Sequence, residues 1–118
     1  MPPARVLVVD DHEGFRAVAR ALLEAEGLSV VAEAAGGAEA VSVAESLEPD
    51  LVLLDVHLPD LDGFAVSERL ASLPSPPIVV LTSSRPIADL RRRIDACPAA
   101  GFVPKHQLSG AALLALTG

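Results

Sequence analysis

Short apolar runs and amphipathic stretches alternate along the whole chain. Val6 to Val9 is an unbroken, β-branched-rich run of strand length. Behind it Phe15, Val18, Ala19, Leu22 and Leu23 recur at helical spacing, and Gly27 is placed to end that helix. Leu28 to Ala34 reads as a second strand, closed by the turn signal Gly36-Gly37. Val41, Ala44 and Leu47 mark a short second helix that stops before Pro49, and Leu51 to Leu54 is a third apolar run. Phe64, Val66, Leu70 and Leu73 predict a third helix ended by Pro74. Ile78 to Leu81 is a fourth strand, and Ile87, Leu90 and Ile94 give a fourth helix with Pro86 in its first turn. Phe102-Val103 forms the fifth strand, and Leu108 to Leu116 a short last helix.

Five strands alternating with five helices predict a parallel sheet covered on both faces. Without linker, repeat or low-complexity segment, residues 1–118 read as one domain. Pro104 beside the last strand argues for an edge, because proline cannot donate to a central ladder. The flavodoxin-like order 2-1-3-4-5 puts strand five at that edge, so the expected fold is a doubly wound (βα)5 sheet.

Composition narrows the class. Half of the 118 residues are apolar, enough for a packed core. No apolar run approaches the roughly 20 residues that span a bilayer, and MPPARVLVV enters a strand without a signal-peptide layout. The expectation is a soluble cytoplasmic protein. A net charge of −7 argues against direct binding to nucleic acid. The lone Cys97 reads as an apolar filler late in a helix, and Lys105 is the single lysine among nine basic residues.

The polar residues that close the strands carry the chemistry. Asp10 and Asp11 end strand one, Asp55 ends strand three, Thr82 ends strand four and Lys105 follows strand five. In an open α/β sheet, ligands bind outside the carboxyl ends of the strands where strand order reverses. Strands one and three meet at that point, so five scattered residues converge on one rim. Adjacent carboxylates repel each other without a counter-charge. Oxygen-only ligands with open positions suit Mg²⁺. An ammonium and a hydroxyl beside such an ion suit a phosphoryl group. The structural alternative makes Asp10-Asp11 a solvated helix N-cap pair.

These residues resemble the receiver domain of bacterial two-component response regulators over the whole chain. The resemblance rests on DD at Asp10-Asp11, DLVLLDVHLPDLDG with Asp55, Pro59 and Gly63, LTSS with Thr82, and GFVPK with Lys105. DDHEGFRAVARALLE is further similar to the subfamily with helix-turn-helix outputs, absent here. The resemblance implies that Asp55 accepts a phosphoryl group from a histidine kinase or phosphotransfer protein. It implies Mg²⁺ held by Asp11, Asp55 and the backbone carbonyl of His57, with Asp10 acting through water. By the same resemblance Thr82 and Lys105 would bind the phosphoryl oxygens, Phe102 would take the aromatic switch position, and the surface of helix four, strand five and helix five would change toward a partner, an output domain or a second copy. No separate substrate is turned over. His106 follows Lys105 where the family often has proline, and Phe102 lacks a tyrosine hydroxyl.

Other fragments fail on spacing. An EF-hand frame through Asp60-Leu61-Asp62-Gly63 needs Glu where Arg69 stands. Asp60 and Asp62 read as loop acids, His12, His57 and His106 as surface residues, and Arg91-Arg92-Arg93 as a solvated helix face. Two other functions compete: a degenerate receiver working as a phosphorylation-independent interaction module, and a Mg²⁺-dependent phosphohydrolase. The latter needs a second Asp where His57 stands.

Overall fold

A computed structural model describes residues 3–116. The expected domain bounds of 1–118 exceed these at both ends. Five strands, β1 (Arg5–Val9), β2 (Ser29–Ala34), β3 (Leu51–Asp55), β4 (Ile78–Ser83) and β5 (Gly101–Pro104), pair in parallel in the order β2-β1-β3-β4-β5. The helices between and after them are α1 (Glu13–Ala25), α2 (Gly37–Leu47), α3 (Gly63–Ala71), α4 (Arg91–Ala96) and α5 (Gly110–Ala115). The doubly wound flavodoxin-like order predicted from the pattern is therefore the order observed.

Successive strand residues face opposite sides of a sheet, and the core divides accordingly. Leu7, Val9, Val52, Leu54 and Leu81 pack with Ala40, Ala44, Phe64, Val66 and Leu70, which belong to α2 and α3. Val6, Val8, Leu51, Leu53 and Val80 pack with Ala19, Leu23 and Leu113, from α1 and α5. Central β3 is buried along its whole length, which explains its uninterrupted apolar run. Among the described residues no helix is long and apolar enough to cross a membrane.

Element ends mostly follow the expected punctuation. Gly27 takes φ +94° after α1, α2 stops at Leu47, and Pro104 sits on edge strand β5. Three expectations need correction. The fourth helix is not one element: Pro86 precedes a 3₁₀ turn at Ile87–Asp89, and α4 holds only six residues. The third helix ends at Ala71 rather than at Pro74. Val18 does not face the core but is 62 % exposed. Each residue turns the helix by about 100°, so beside buried Ala19 it falls off a stripe that covers only part of α1.

Asp60 and Asp62 are more than loop acids. Gly36 offers α2 no side-chain cap, and the Asp60 carboxylate fills that role from 23 residues away. It accepts from the backbone N–H of Gly37 at 2.8 Å and of Ala38 at 3.0 Å. Asp62 caps α3 through the Ala65 N–H at 2.8 Å. Gly63 then starts α3 directly against β3. A Cβ there would lie 2.5 Å from the Asp55 backbone oxygen and 2.6 Å from Val56 Cα.

Gly63→Ala is thus expected to destabilise the fold by about 1–3 kcal/mol, read as a lower urea midpoint. The Ala38 and Gly37 N–H groups hold the Asp60 carboxyl below its ordinary 3.8. A depressed carboxylate contributes stability above the unfolded value and loses it as pH falls through the folded one. Asp60→Ala should therefore lower the unfolding midpoint at neutral pH, and the gap from wild type should close below pH 3.8. A gap that persists in acid would contradict the capping role.

Candidate functional site

The strand ends bring the predicted residues to one rim. Asp10 leaves β1 while its N–H still donates to the Ala34 carbonyl of β2 at 3.0 Å, and its side chain is fully buried. Asp10 Oδ1 accepts from the His12 N–H at 2.9 Å. Asp55, one strand over, is also buried, and its Oδ1 accepts from the His57 N–H at 3.0 Å. Thr82 is the register partner of Asp55 on β4.

Lys105, in the 3₁₀ turn after β5, reaches back across the rim to both acids. Its Nζ lies 2.7 Å from Asp10 Oδ2 and 3.2 Å from Asp55 Oδ2. The second contact is a hydrogen bond. The first is the shorter, a close ion contact between the ammonium and the buried Asp10 carboxylate. The Phe15 ring covers the ammonium from 4.6 Å. Burial pushes Asp55 above the usual carboxylate range and the charge of Asp10 adds to this, against the His57 N–H and Lys105. Burial also works against the Lys105 charge, but Asp10 and Asp55 outweigh it and hold the ammonium above its usual value.

Asp11 stands further out, its side chain 39 % exposed. His12 is a surface residue, as read from sequence, and its ring also reaches the acid pair. Its Nδ1 lies 3.4 Å from Asp10 Oδ1 and 3.2 Å from Asp11 Oδ1. One ligand atom from each of Asp10, Asp11 and His12 fits within 4.8 Å, an acidic pocket with room for a cation. Carboxylate oxygens gathered in this way suit a hard divalent ion.

Two predicted residues are present but turned elsewhere. The Thr82 hydroxyl donates to the Val103 carbonyl at 2.6 Å, away from Asp55. Phe102 is partly buried against the cluster that holds Leu81 and Leu90. Two contributors were missed. Arg16 donates to the Asp10 carbonyl at 2.6 Å. Arg93 lies on the exposed face expected of it and there pairs with Asp62 at 2.7 Å, 4.2 Å over the Phe64 ring. No local pattern marks either contact, since Arg93 meets a residue 31 positions away.

Known proteins resemble this chain in sequence and in fold. A protein of Pseudomonas aeruginosa described as a transcriptional regulator is 42% identical over 113 residues, covering 95% of this chain and 54% of the relative. The chain spans about half the length of the curated relatives it matches. The signal receiver domain of a response regulator, NarL, from Mycobacterium tuberculosis superposes with a TM-score of 0.84 at 33% identity, covering 100% of this chain and 99% of that one. A CheX–CheY–BeF3–Mg complex from Borrelia burgdorferi matches with a TM-score of 0.84 at 26% identity, over 98% of this chain and 87% of that one. With residues 6–116 also matching the family model for the response regulator receiver domain, the chain belongs to that family.

Proposed function

We propose that this receiver domain is a phosphorylation switch in which Asp55 accepts a phosphoryl group from a histidine kinase or phosphotransfer protein. The observation that carries the reading is the Lys105 ammonium placed between Asp10 and Asp55 at the heads of neighbouring strands. Asp55 Oδ2 attacks the phosphorus of a phosphohistidine; the new P–O bond forms as the P–N bond breaks, and the electron pair returns to the imidazole. Little covalent help is needed, so positioning and charge neutralisation dominate. The His57 N–H holds one Asp55 oxygen in place. Lys105 is poised to follow the added charge.

Mg²⁺ fits the residues present, because the donors are carboxylates and those of Asp10 and Asp11 lie together at the rim. Asp10, Asp11, Asp55 and the His57 carbonyl would hold it, with Asp10 acting through water. When bound, the ion neutralises charge on the phosphoryl oxygens. The CheX–CheY complex that contains BeF3 and Mg supports a magnesium site in this fold.

In the resting arrangement the Thr82 hydroxyl is spent on Val103. Phosphorylation offers it a charged acceptor, and charge-assisted hydrogen bonds are about twice as strong as neutral ones. Its movement empties space beside Phe102, which repacks without a hydroxyl of its own. The surface of α4, β5 and α5 changes as a population shift. Its reader is an output domain, a separate protein or a second copy of the chain. The domain, taken as residues 1–118 and cytoplasmic, acts on no separate substrate beyond gaining and losing its own phosphoryl group, and it binds no nucleic acid directly. A phosphorylation-independent interaction module is the weaker reading, since no residue of the site is lost.

Intact mass after incubation with a small phosphodonor tests the proposal. Wild type should gain a Mg²⁺-dependent, base-labile phosphoryl adduct, and Asp55→Asn should gain none. Absence of an adduct despite Mg²⁺ binding would move the reading to the interaction module. Lys105→Ala leaves Asp10 buried without its counter-charge. The loss should approach the 3–5 kcal/mol of a broken buried pair, roughly, less what residual solvation recovers. Mg²⁺ should then raise the melting temperature more in this variant than in wild type, because the ion no longer competes with the ammonium.

A further inference from the structure

The corner between β1 and α1 is held from outside the site. Arg16, on the first turns of α1, donates through Nη1 to the Asp10 backbone carbonyl at 2.6 Å. Its Nε donates to Glu33 Oε1 on β2 at 3.1 Å. The other Glu33 oxygen accepts from Arg20 Nε at 2.8 Å, and Arg20 Nη1 reaches the Val30 carbonyl at 3.0 Å. Arg20 and Arg16 together keep the Glu33 carboxyl below its usual range, despite some desolvation. The Arg16 side chain is only 16 % exposed, which sets it apart from the mobile surface pairs that contribute little.

This geometry has a specific effect. The Asp10 N–H is fixed to β2, but its carbonyl has left the ladder and would otherwise be a half-covered acceptor without a donor. That carbonyl belongs to the peptide joining Asp10 to Asp11. Its direction sets where the Asp11 side chain leaves the strand. Asp11 has no other restraint of comparable strength, since its carboxylate touches only the exposed His12 ring. We infer that Arg16 is a positioning residue for the acid pair, a guanidinium strut from β2 that locks the Asp10–Asp11 peptide so that both carboxylates face the cation. The planar fork matters, because one cation must serve two acceptors at once, which an ammonium does poorly. Glu33 keeps the strut aimed. Arg20 supports the same helix–strand contact without touching the corner.

The inference rests on the metal-binding reading given above, and the test separates the two. The chain has no Trp or Tyr, so Mg²⁺ affinity is best read by calorimetry or by amide shifts of Asp11 and Asp55. Arg16→Met should weaken Mg²⁺ binding roughly tenfold, as loss of outer-sphere partners does elsewhere. Arg20→Met should lower the melting temperature while leaving Mg²⁺ affinity at the wild-type level. A general packing role for the network predicts instead that both variants lose affinity together, which overturns the inference, as does unchanged affinity in Arg16→Met. Should Arg16→Met fail to fold, Arg16→Gln, too short to reach both partners, decides by the same criterion. Wild type that binds no Mg²⁺ overturns the site reading and this inference with it; wild type that binds, beside an Arg16 variant that binds equally well, overturns the strut alone.

Discussion

Asp10 is a carboxylate with no access to water, and the rim is organised around that fact. A buried charge is tolerated only when paired and hydrogen-bonded. The His12 amide supplies the hydrogen bond, and Lys105 supplies the charge from the far edge of the sheet. Because Lys105 follows edge strand β5 while Asp10 ends β1, one ion contact ties the last third of the chain to the first. It also engages Asp55 between them. The ammonium faces two carboxylates, Asp10 and Asp55, and with Asp11 beside Asp10 two negative charges stay uncompensated, the number that a divalent cation brings.

A second pair of acids, Asp60 and Asp62, fastens the loop beside the site. Gly63 lets α3 begin against the backbone of Asp55 itself, and Asp62 caps that helix. The loop between β3 and α3 is then pinned twice more, by Asp60 to the start of α2 and by Asp62 to Arg93 of α4. The loop is held by Val56, Leu58 and Leu61 packing on the core, by amide bonds to α2 and by one ion pair to α4. Events at Asp55 and the position of α4 share these contacts.

Much of this was legible from residue order. The strands are short apolar runs closed by a polar residue, and β-strand order turns those closures into a rim. Asp10, Asp55, Thr82 and Lys105 all lie there. What stayed hidden shares a cause. The Asp60 cap spans 23 residues, the Arg16–Glu33 pair 17 and the Arg93–Asp62 pair 31. Such contacts depend on which helices become neighbours, and no local period encodes that. Val18 failed differently: hydrophobic spacing marks a face but not its width. The split of the fourth helix follows from Pro86, which opens a 3₁₀ turn in place of continuous α-helix.

The bond from Thr82 to the Val103 carbonyl has a consequence for where any response is felt. A hydroxyl has one proton to give. When it turns toward Asp55, the Val103 carbonyl loses that donor in the same motion. Val103 is buried on a strand with a neighbour on one side only. A change that begins at Asp55 thus leaves a buried carbonyl on the edge strand β5 in need of another donor.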